Sequence, residues 1–518
     1  MLTIIEDKNE SVCVINENGD KKIFFPDFNL NKSKELLSKF NNIQTEDGRC
    51  ISELWSHNDY YLFPALQEWL YWDYFVHIVK HKDARNYIKE RSCTFENLNY
   101  YRVSGLQRIY TLLNVHKRNT IIEKIIYNIL SGIARGLSDP NKTILVDEGD
   151  SSFRYQNLKK VLKRNVKYSG VLKINKNILT RWDRKSLYTG HKMIFFIKND
   201  FKFDYSKLKF LHDYITESEF YRLIGAIDYR AQEVKEEAAL LEKYIQKKDL
   251  DRIITYDQIE GNLALILASK KMGIKTYGYQ HGVITKQHAG LLGFCSPREY
   301  CNLVPDKIIV WGEYWKEKLI KYSNKYNQSN ILVGVNPKEN LYHKKDFKVT
   351  SNKKISILFP FEFLADNIKL SVYILKLIEK DFKVIIKLRP KGADGDGDMD
   401  SDFLAYNENI RKKVHFQYEI SEQEIVENID IIGCTHSTYA YEMMQYSKPI
   451  WYFETKLTFL EDIVSDKIAY LINDEVIDRI SDKNFISNYL KPSYDRNRIK
   501  DVFNDADLEE FIVNEVLK

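Results

Sequence analysis

The chain has 518 residues, 44% hydrophobic and 29% charged, enough for two or three globular cores and unlike a disordered or fibrous composition. Lys and Arg outnumber Asp and Glu by 78 to 73, and a formal charge of +5 does not by itself point to nucleic acid. Six cysteines (Cys13, Cys50, Cys93, Cys295, Cys301 and Cys434) form no C-x-x-C pair, which argues against a zinc or redox motif and for a reducing cytoplasm. The start MLTIIEDKNESV lacks a basic stretch followed by an apolar core, so no signal peptide is expected. No uninterrupted apolar run reaches about 18 residues, so no membrane span is expected either.

Residues 1–140 read as an N-terminal, partly helical region packing on the lobe that follows. A short β-like segment opens it. The stretch 58–90 then predicts an aromatic-rich helix, with Leu62, Leu66, Trp69, Leu70 and Phe75 at helical spacing. Such a stripe buries one face against a core. The sharper alternative is a platform for a lipid-linked acceptor, with Lys80, Lys82 and Arg85 at its basic end.

From 141 the pattern changes. TILVDEG (143–149) and MIFFI (193–197) read as strands, the first ending in carboxylates and glycine. Residues 252–282 form a β–α–β unit: a strand over Ile253–Tyr256, a helix from about Glu260 to Lys271, a stop at Gly273 and a second strand. DKIIVWG (306–312), a helix over EYWKEKLIKYS and ILVGVNP complete the first set, placing a lobe at 141–335. A polar, turn-prone linker covers 334–353. The alternation restarts with ISILFP (355–360), a helix near 367–380, FKVIIKLRP (382–390), VHFQY (414–418), DIIGC (430–434) and KPIWYF (448–453), giving a second lobe at 354–456. Residues 457–518 look helical. Strands alternating with helices imply parallel sheets, so the expected fold is α/β with two Rossmann-like lobes, an N-terminal helical extension and C-terminal helices. The acidic loop GADGDGDMDSD (392–402) does not fit a calcium loop: counted from Asp394, Met399 and Ala405 stand where Gly and Glu are required.

In open parallel sheets ligands bind beyond the carboxyl ends of the strands, and the notable segments fall there. THST brings Thr435, His436, Ser437 and Thr438 to a strand-to-helix junction, where free backbone N–H groups attract phosphate, with Glu442 one turn on for ribose hydroxyls. KLRPKG offers three cations, Lys387, Arg389 and Lys391, around a proline-stiffened turn, a set suited to a diphosphate or a departing monophosphate. QHG sets His281 between Gln280 and Gly282, where the backbone can approach a ligand, and His288 follows seven residues later. DEG offers Asp147 and Glu148 as a general base; adjacent strand residues point to opposite faces, so one of them faces the site. Asp257 and Glu362 stand at two further strand ends.

The run GYQHGV, DKIIVWGEYWKEKL, ILVGVNP resembles the passage from first lobe to hinge in GT-B-type transferases that build bacterial surface polysaccharides, including cytoplasmic capsule glycosyltransferases, Kdo transferases and teichoic-acid glycerophosphotransferases. KLRP and DIIGCTHSTYAYEMMQYSKPIWYF are similar to the basic turn and Ser/Thr helix start of their second lobe, so the resemblance covers about residues 250–455. VDEG (146–149) and Ser437–Thr438 also resemble two motifs of bacterial sialyltransferases, whereas Arg389–Pro390 stands where those enzymes carry His-Pro. An arginine neutralises a phosphate but does not donate a proton to it near neutral pH.

The resemblance implies GT-B architecture and a metal-independent glycosyltransferase with no cofactor beyond its nucleotide-sugar co-substrate. The donor, in one version a CMP-linked acidic sugar, would be held by the second lobe. An oligosaccharide or lipid-linked glycan acceptor and the base, from Asp147, Glu148 or His281, would belong to the first. The implied setting is cytoplasmic, with peripheral contact at the inner face of the membrane and no nucleic-acid partner. Two alternatives remain at this stage: a CDP-glycerol-type polyol-phosphate transferase, and a non-catalytic scaffold in polysaccharide assembly.

Overall fold

The computed structural model describes residues 3–6, 12–15, 18–24, 27–89, 143–146, 156–166, 169–175, 186–188, 201–246, 250–256, 262–280, 282–293, 296–337, 354–360, 367–388, 412–455, 459–460 and 462–518. The chain divides into two compact units. The first is built mainly from Ser11–Lys338 and finishes with Ala506–Lys518; the second is built mainly from Glu339–Asp505.

The first unit begins with an antiparallel sheet of β1 (Thr3–Glu6), β2 (Val12–Ile15) and β3 (Lys21–Phe24). The helix Leu30–Asn41 follows, its first turn capped by the Asn29 side chain, which accepts from the Lys32 N–H. The single helix expected over 58–90 is not what forms. Asn58 and Asp59 take positive φ (47° and 64°) and turn a two-residue hairpin between β4 (Ser56–His57) and β5 (Tyr60–Tyr61). Helix begins only after it, runs through a π turn at Tyr71–Phe75, and breaks at His81 before Lys82–Lys89. The apolar stripe behaves as its spacing requires: Leu62, Leu66, Trp69, Leu70 and Phe75 are all buried.

Two of the three cations at the basic end of this segment, Lys80 and Arg85, are withdrawn from the surface, while Lys82 stays partly exposed. Arg85 is only 1% exposed, paired with the Glu219 carboxylate at 2.6 Å and donating to the Tyr214 carbonyl at 3.0 Å. Lys80 is buried as well. A guanidinium committed to a buried partner cannot also meet lipid headgroups. Glu219 has a second task. With Thr216 it closes a capping box at the start of the long helix Glu217–Ile245.

The main sheet of this unit contains β6 (Thr143–Val146), β7 (Ser169–Asn175), β8 (Ser186–Tyr188), β9 (Arg252–Tyr256), β10 (Lys275–Tyr279), β11 (Lys307–Val310) and β12 (Ile331–Val333). Its order is β12-β11-β10-β9-β6-β7-β8 and every pairing is parallel. The chain lays three strands to one side, returns to pair β9 with β6, and then builds outward. This is the doubly wound order 3-2-1-4-5-6 with one further strand. The helix Leu263–Lys271 joins β9 to β10 and is buried from Leu263 to Ser269, as a crossover between two layers must be.

The second unit repeats the plan with β13 (Ser356–Pro360), β14 (Lys383–Lys387), β15 (His415–Gln417), β16 (Ile431–Cys434), β17 (Ile450–Phe453) and β18 (Tyr470–Ile472). Its order is β15-β14-β13-β16-β17-β18, again all parallel. β18 corrects the reading of the tail as wholly helical. Tyr470–Ile472 is a three-residue strand, too short to announce itself by alternation. The core joins Ile357, Phe359, Val384, Ile386, Ile431, Trp451 and Phe453 of the sheet to Tyr373, Ile374 and Leu377 of the helix Asn367–Glu379.

Both sheets are latched at their amino ends by the same device. Asp306 Oδ2 accepts the Thr276 N–H and hydroxyl, each at 2.8 Å, tying β10 to β11. Asp430 Oδ2 accepts the Ser356 N–H at 2.8 Å and hydroxyl at 2.9 Å, tying β13 to β16. Burial opposes ionisation of Asp306, but Lys270 and the Thr276 donors outweigh it and hold the carboxyl below its usual range.

Two buried imidazoles, His77 and His81, lie with ring centroids 4.7 Å apart in the first unit. Burial, reinforced by the nearby charges of Lys80 and Arg85, lowers His81 to about 2, and burial with the same neighbours lowers His77 well below the normal value. The unfolded chain therefore binds more protons than the folded one below pH 6.5. The stability is complete above that pH and is lost as pH falls toward the folded value. Lowering pH from 7 to 5 should cost about 2 kcal/mol through His81 alone. Thermal unfolding followed across that range should show the first unit losing stability, and His81→Phe should flatten the dependence.

Candidate functional site

In each sheet the point where strand order reverses lies between the first and fourth strands, and loops leaving their carboxyl ends diverge to opposite faces. In the second unit this point lies between β13 and β16. β13 ends at Pro360 and β16 at Cys434, so Thr435, His436, Ser437 and Thr438 occupy the switch point. Thr435 is buried, and its hydroxyl is 3.0 Å from His436 Nδ1. The Ser437 hydroxyl accepts the Tyr439 N–H at 3.2 Å. Thr438 is the first flanking residue of the helix Tyr439–Met443 and makes no side-chain cap bond.

The helix is shorter than the stretch TYAYEMMQYS suggests. It gives way to a 3-10 turn at Met444–Tyr446, and Ser447 ends it in the left-handed region at φ 52°. Glu442 lies in the helix Tyr439–Met443, half-buried. Its charge and that of Tyr446 add to the burial that raises the Tyr439 hydroxyl.

Lys387, the last residue of β14, reaches the same place. Its ammonium stands 5.7 Å from the centre of the Tyr439 ring, within cation–π range. Lys387 and the residue that follows the THST junction, about fifty positions apart in sequence, thus come together at the ends of the two strands that flank β13. Arg389, Lys391 and Glu362 lie outside the described residues. Gly433 makes the junction fit. A Cβ there would stand 2.4 Å from the Phe359 ring, so only glycine lets β16 lie over the aromatic floor. Gly433→Ala should destabilise the second unit by about 1–3 kcal/mol, seen as a lowered midpoint in its thermal unfolding with the first unit unaffected.

In the first unit the switch point lies between β6 and β9. β6 ends at Val146 and β9 at Tyr256; Asp147, Glu148 and Asp257 follow them and lie outside the described residues, as does His281. Gln280 is fully buried and brackets the backbone around the histidine position. Its side-chain oxygen accepts the Trp311 N–H at 2.9 Å, and its amide donates to the Gly282 carbonyl at 2.7 Å. The end of β10 is thereby fastened to the end of β11.

His288 has a local structural task. Its Nδ1 accepts the Leu291 N–H at 3.4 Å, capping the short helix Ala289–Leu292, and lies 3.7 Å from the Glu68 carboxylate. One nitrogen cannot accept from the backbone while donating to Glu68, so the cap describes the neutral ring. The neighbouring Lys325 is fully buried, donates to the Gly290 carbonyl at 2.7 Å and is lowered to about 8 by burial.

Sequence reading did not find Gln280's two bonds, the Lys387–Tyr439 approach, or the contacts that residues 30–71 make with the loop after β10. Their only signals were isolated polar residues among apolar ones. Among the described residues, no group of three or more His, Cys, Asp or Glu is arranged to hold a metal ion, and no helix is long and apolar enough to cross a membrane.

No protein-family model matches the chain, and no curated protein matches it. Among solved structures it is similar to the lipopolysaccharide outer core galactosyltransferase WaaB, with 14% identity over 72% of this chain and 98% of that one and a TM-score of 0.41. It is also similar to the UDP-GlcNAc 2-epimerase of Methanocaldococcus jannaschii in complex with UDP-GlcNAc and UDP (12% identity, 72% and 97% covered, TM-score 0.42). A third is MurG of Acinetobacter baumannii (10% identity, 72% and 98% covered, TM-score 0.43). Likeness at this level assigns neither a substrate nor a reaction to this chain.

Proposed function

We propose that the chain is a glycosyltransferase of the GT-B type that moves a sugar from a nucleotide donor to a surface-glycan acceptor. The observation that carries this reading is the meeting of Lys387 with the Thr435–Thr438 junction at the switch point of a sheet wound 3-2-1-4-5-6. An ammonium and a run of hydroxyl side chains gathered beyond a strand end form a polar cradle suited to a phosphorylated ligand.

In this scheme the second unit takes the donor. Lys387 and Arg389 neutralise the phosphates, Ser437 and Thr438 hydrogen-bond them, and Glu442 accepts ribose hydroxyls. These cations stabilise the departing phosphate without a divalent ion. The first unit takes the acceptor, and Asp147, Glu148 or His281 removes the proton of its attacking hydroxyl. The DEG and Ser–Thr resemblance makes a CMP-linked acidic sugar the first donor to try.

Titration calorimetry with CMP, UDP, GDP and CDP tests the donor half. The wild-type chain should bind one of them, and Lys387→Ala or Arg389→Ala should weaken that affinity about tenfold or more, the loss expected when a charge-assisted bond to phosphate is removed. Affinity unchanged in both variants would remove the cationic turn from the site. Asp147→Asn should leave nucleotide affinity intact while lowering turnover by about 10²-fold or more; full turnover would take Asp147 off the list of bases. Product analysis with CDP-glycerol beside nucleotide sugars separates sugar transfer from polyol-phosphate transfer.

A further inference from the structure

We infer that the helical segment Leu30–Tyr71 is the positioning element for the loop that leaves the carboxyl end of β10, Gly282–Ser296, and through it selects the acceptor. The acceptor clause rests on the functional reading above; the positioning clause rests on geometry alone.

The loop begins three residues beyond β10, beside the strand that borders the first unit's switch point. It carries little regular structure of its own, a four-residue helix at Ala289–Leu292, yet Val283, Ile284, Thr285 and Gln287 are buried. What holds it comes from more than two hundred positions earlier. The Tyr71 hydroxyl lies 2.9 Å from Gln287 Oε1 and 3.2 Å from the Leu30 carbonyl, and its single proton bridges the helix to the loop. Gln287 is fully buried, and its amide donates to Asn31 Oδ1 at 3.0 Å. Lys34 donates to the Lys286 carbonyl at 2.9 Å. Farther along, the Gln67 amide donates to the Ser296 hydroxyl.

Gly290 shows how closely the two segments approach. A Cβ at that position would fall 1.7 Å from Glu68 Oε2 and 2.8 Å from its Cδ, so any side chain at 290 would force the Glu68 carboxylate to move aside. The π turn at Tyr71–Phe75 belongs to the same device. Turns of this kind displace side chains from α-helical register, and they occur often at functional sites. Here Tyr71 opens the turn and addresses the loop, while Tyr74 and Phe75 remain in the core.

A loop whose backbone is tied at Lys286, Gln287 and Ser296 by another segment takes its shape from that segment. In a transferase whose acceptor binds at this end of the sheet, acceptor choice follows that shape, whereas donor binding belongs to the other unit.

The test uses the full chain and the variants Tyr71→Phe, Gln287→Leu and the pair together. Tyr71→Phe deletes one oxygen and leaves the ring in place. Hydrogen exchange of amides in 283–292 should quicken about fivefold to tenfold, with the helix Leu263–Lys271 and the second unit unchanged. The double variant should recover part of that protection, because removing both polar partners leaves no buried acceptor unsatisfied. Unchanged exchange in the loop, or equal quickening throughout the first unit, overturns the positioning role. In kinetics with a nucleotide-sugar donor, Tyr71→Phe should raise the acceptor KM several-fold while leaving donor KM and kcat near wild type. A faster-exchanging loop with an unaltered acceptor KM overturns acceptor selection. Absence of turnover in the wild-type chain with every donor tried would overturn the transferase reading and the acceptor clause with it, and the exchange data would still decide the positioning role.

Discussion

Everything functional here depends on the reversal of strand order in two parallel sheets. A right-handed crossover can return the chain to the far side of its first strand only by sending consecutive loops to opposite faces. The connections that follow the first and fourth strands of each sheet therefore part at their carboxyl ends. The amino ends are closed instead by Asp306 and Asp430, each spending its carboxylate on the hydroxyl and N–H of a neighbouring strand. The amino end of each sheet is thus satisfied by the chain itself.

Strands buried on both faces are the most readable feature of such a chain. ISILFP, KVIIK and DIIGC are short apolar runs bounded by polar residues, and β13, β14 and β16 fall inside them. The ends of such strands are legible too, and Lys387 and the THST junction stand at the ends of β14 and β16, with β13 between them. Misreadings arose where local signals conflict. The Asn58–Asp59 turn lay inside a stretch whose apolar spacing continued across it, and β18 is three residues long.

The contacts around the loop after β10 were illegible for a different reason. Tyr71 and Gln287 are 216 positions apart, and nothing in either segment alone distinguishes a bridging phenol from an ordinary core tyrosine. Arg85 shows the same limit in reverse. Its charge read as surface, whereas Glu219, 134 positions away, draws it into the interior. Replacing either partner would strand the other, and Glu219, in the first turn of the long helix, both caps it and pairs with Arg85.

The last thirteen residues rejoin the first unit: Arg252, at the start of β9, donates to the Val516 carbonyl, and Asn165 donates to Glu509 at 2.7 Å. The second unit is therefore an insertion within the first. During synthesis its whole sequence leaves the ribosome while the first still lacks its closing piece, so the later half can mature before the earlier one. Removing residues 506–518 would consequently disturb a unit whose other parts lie far upstream in the chain.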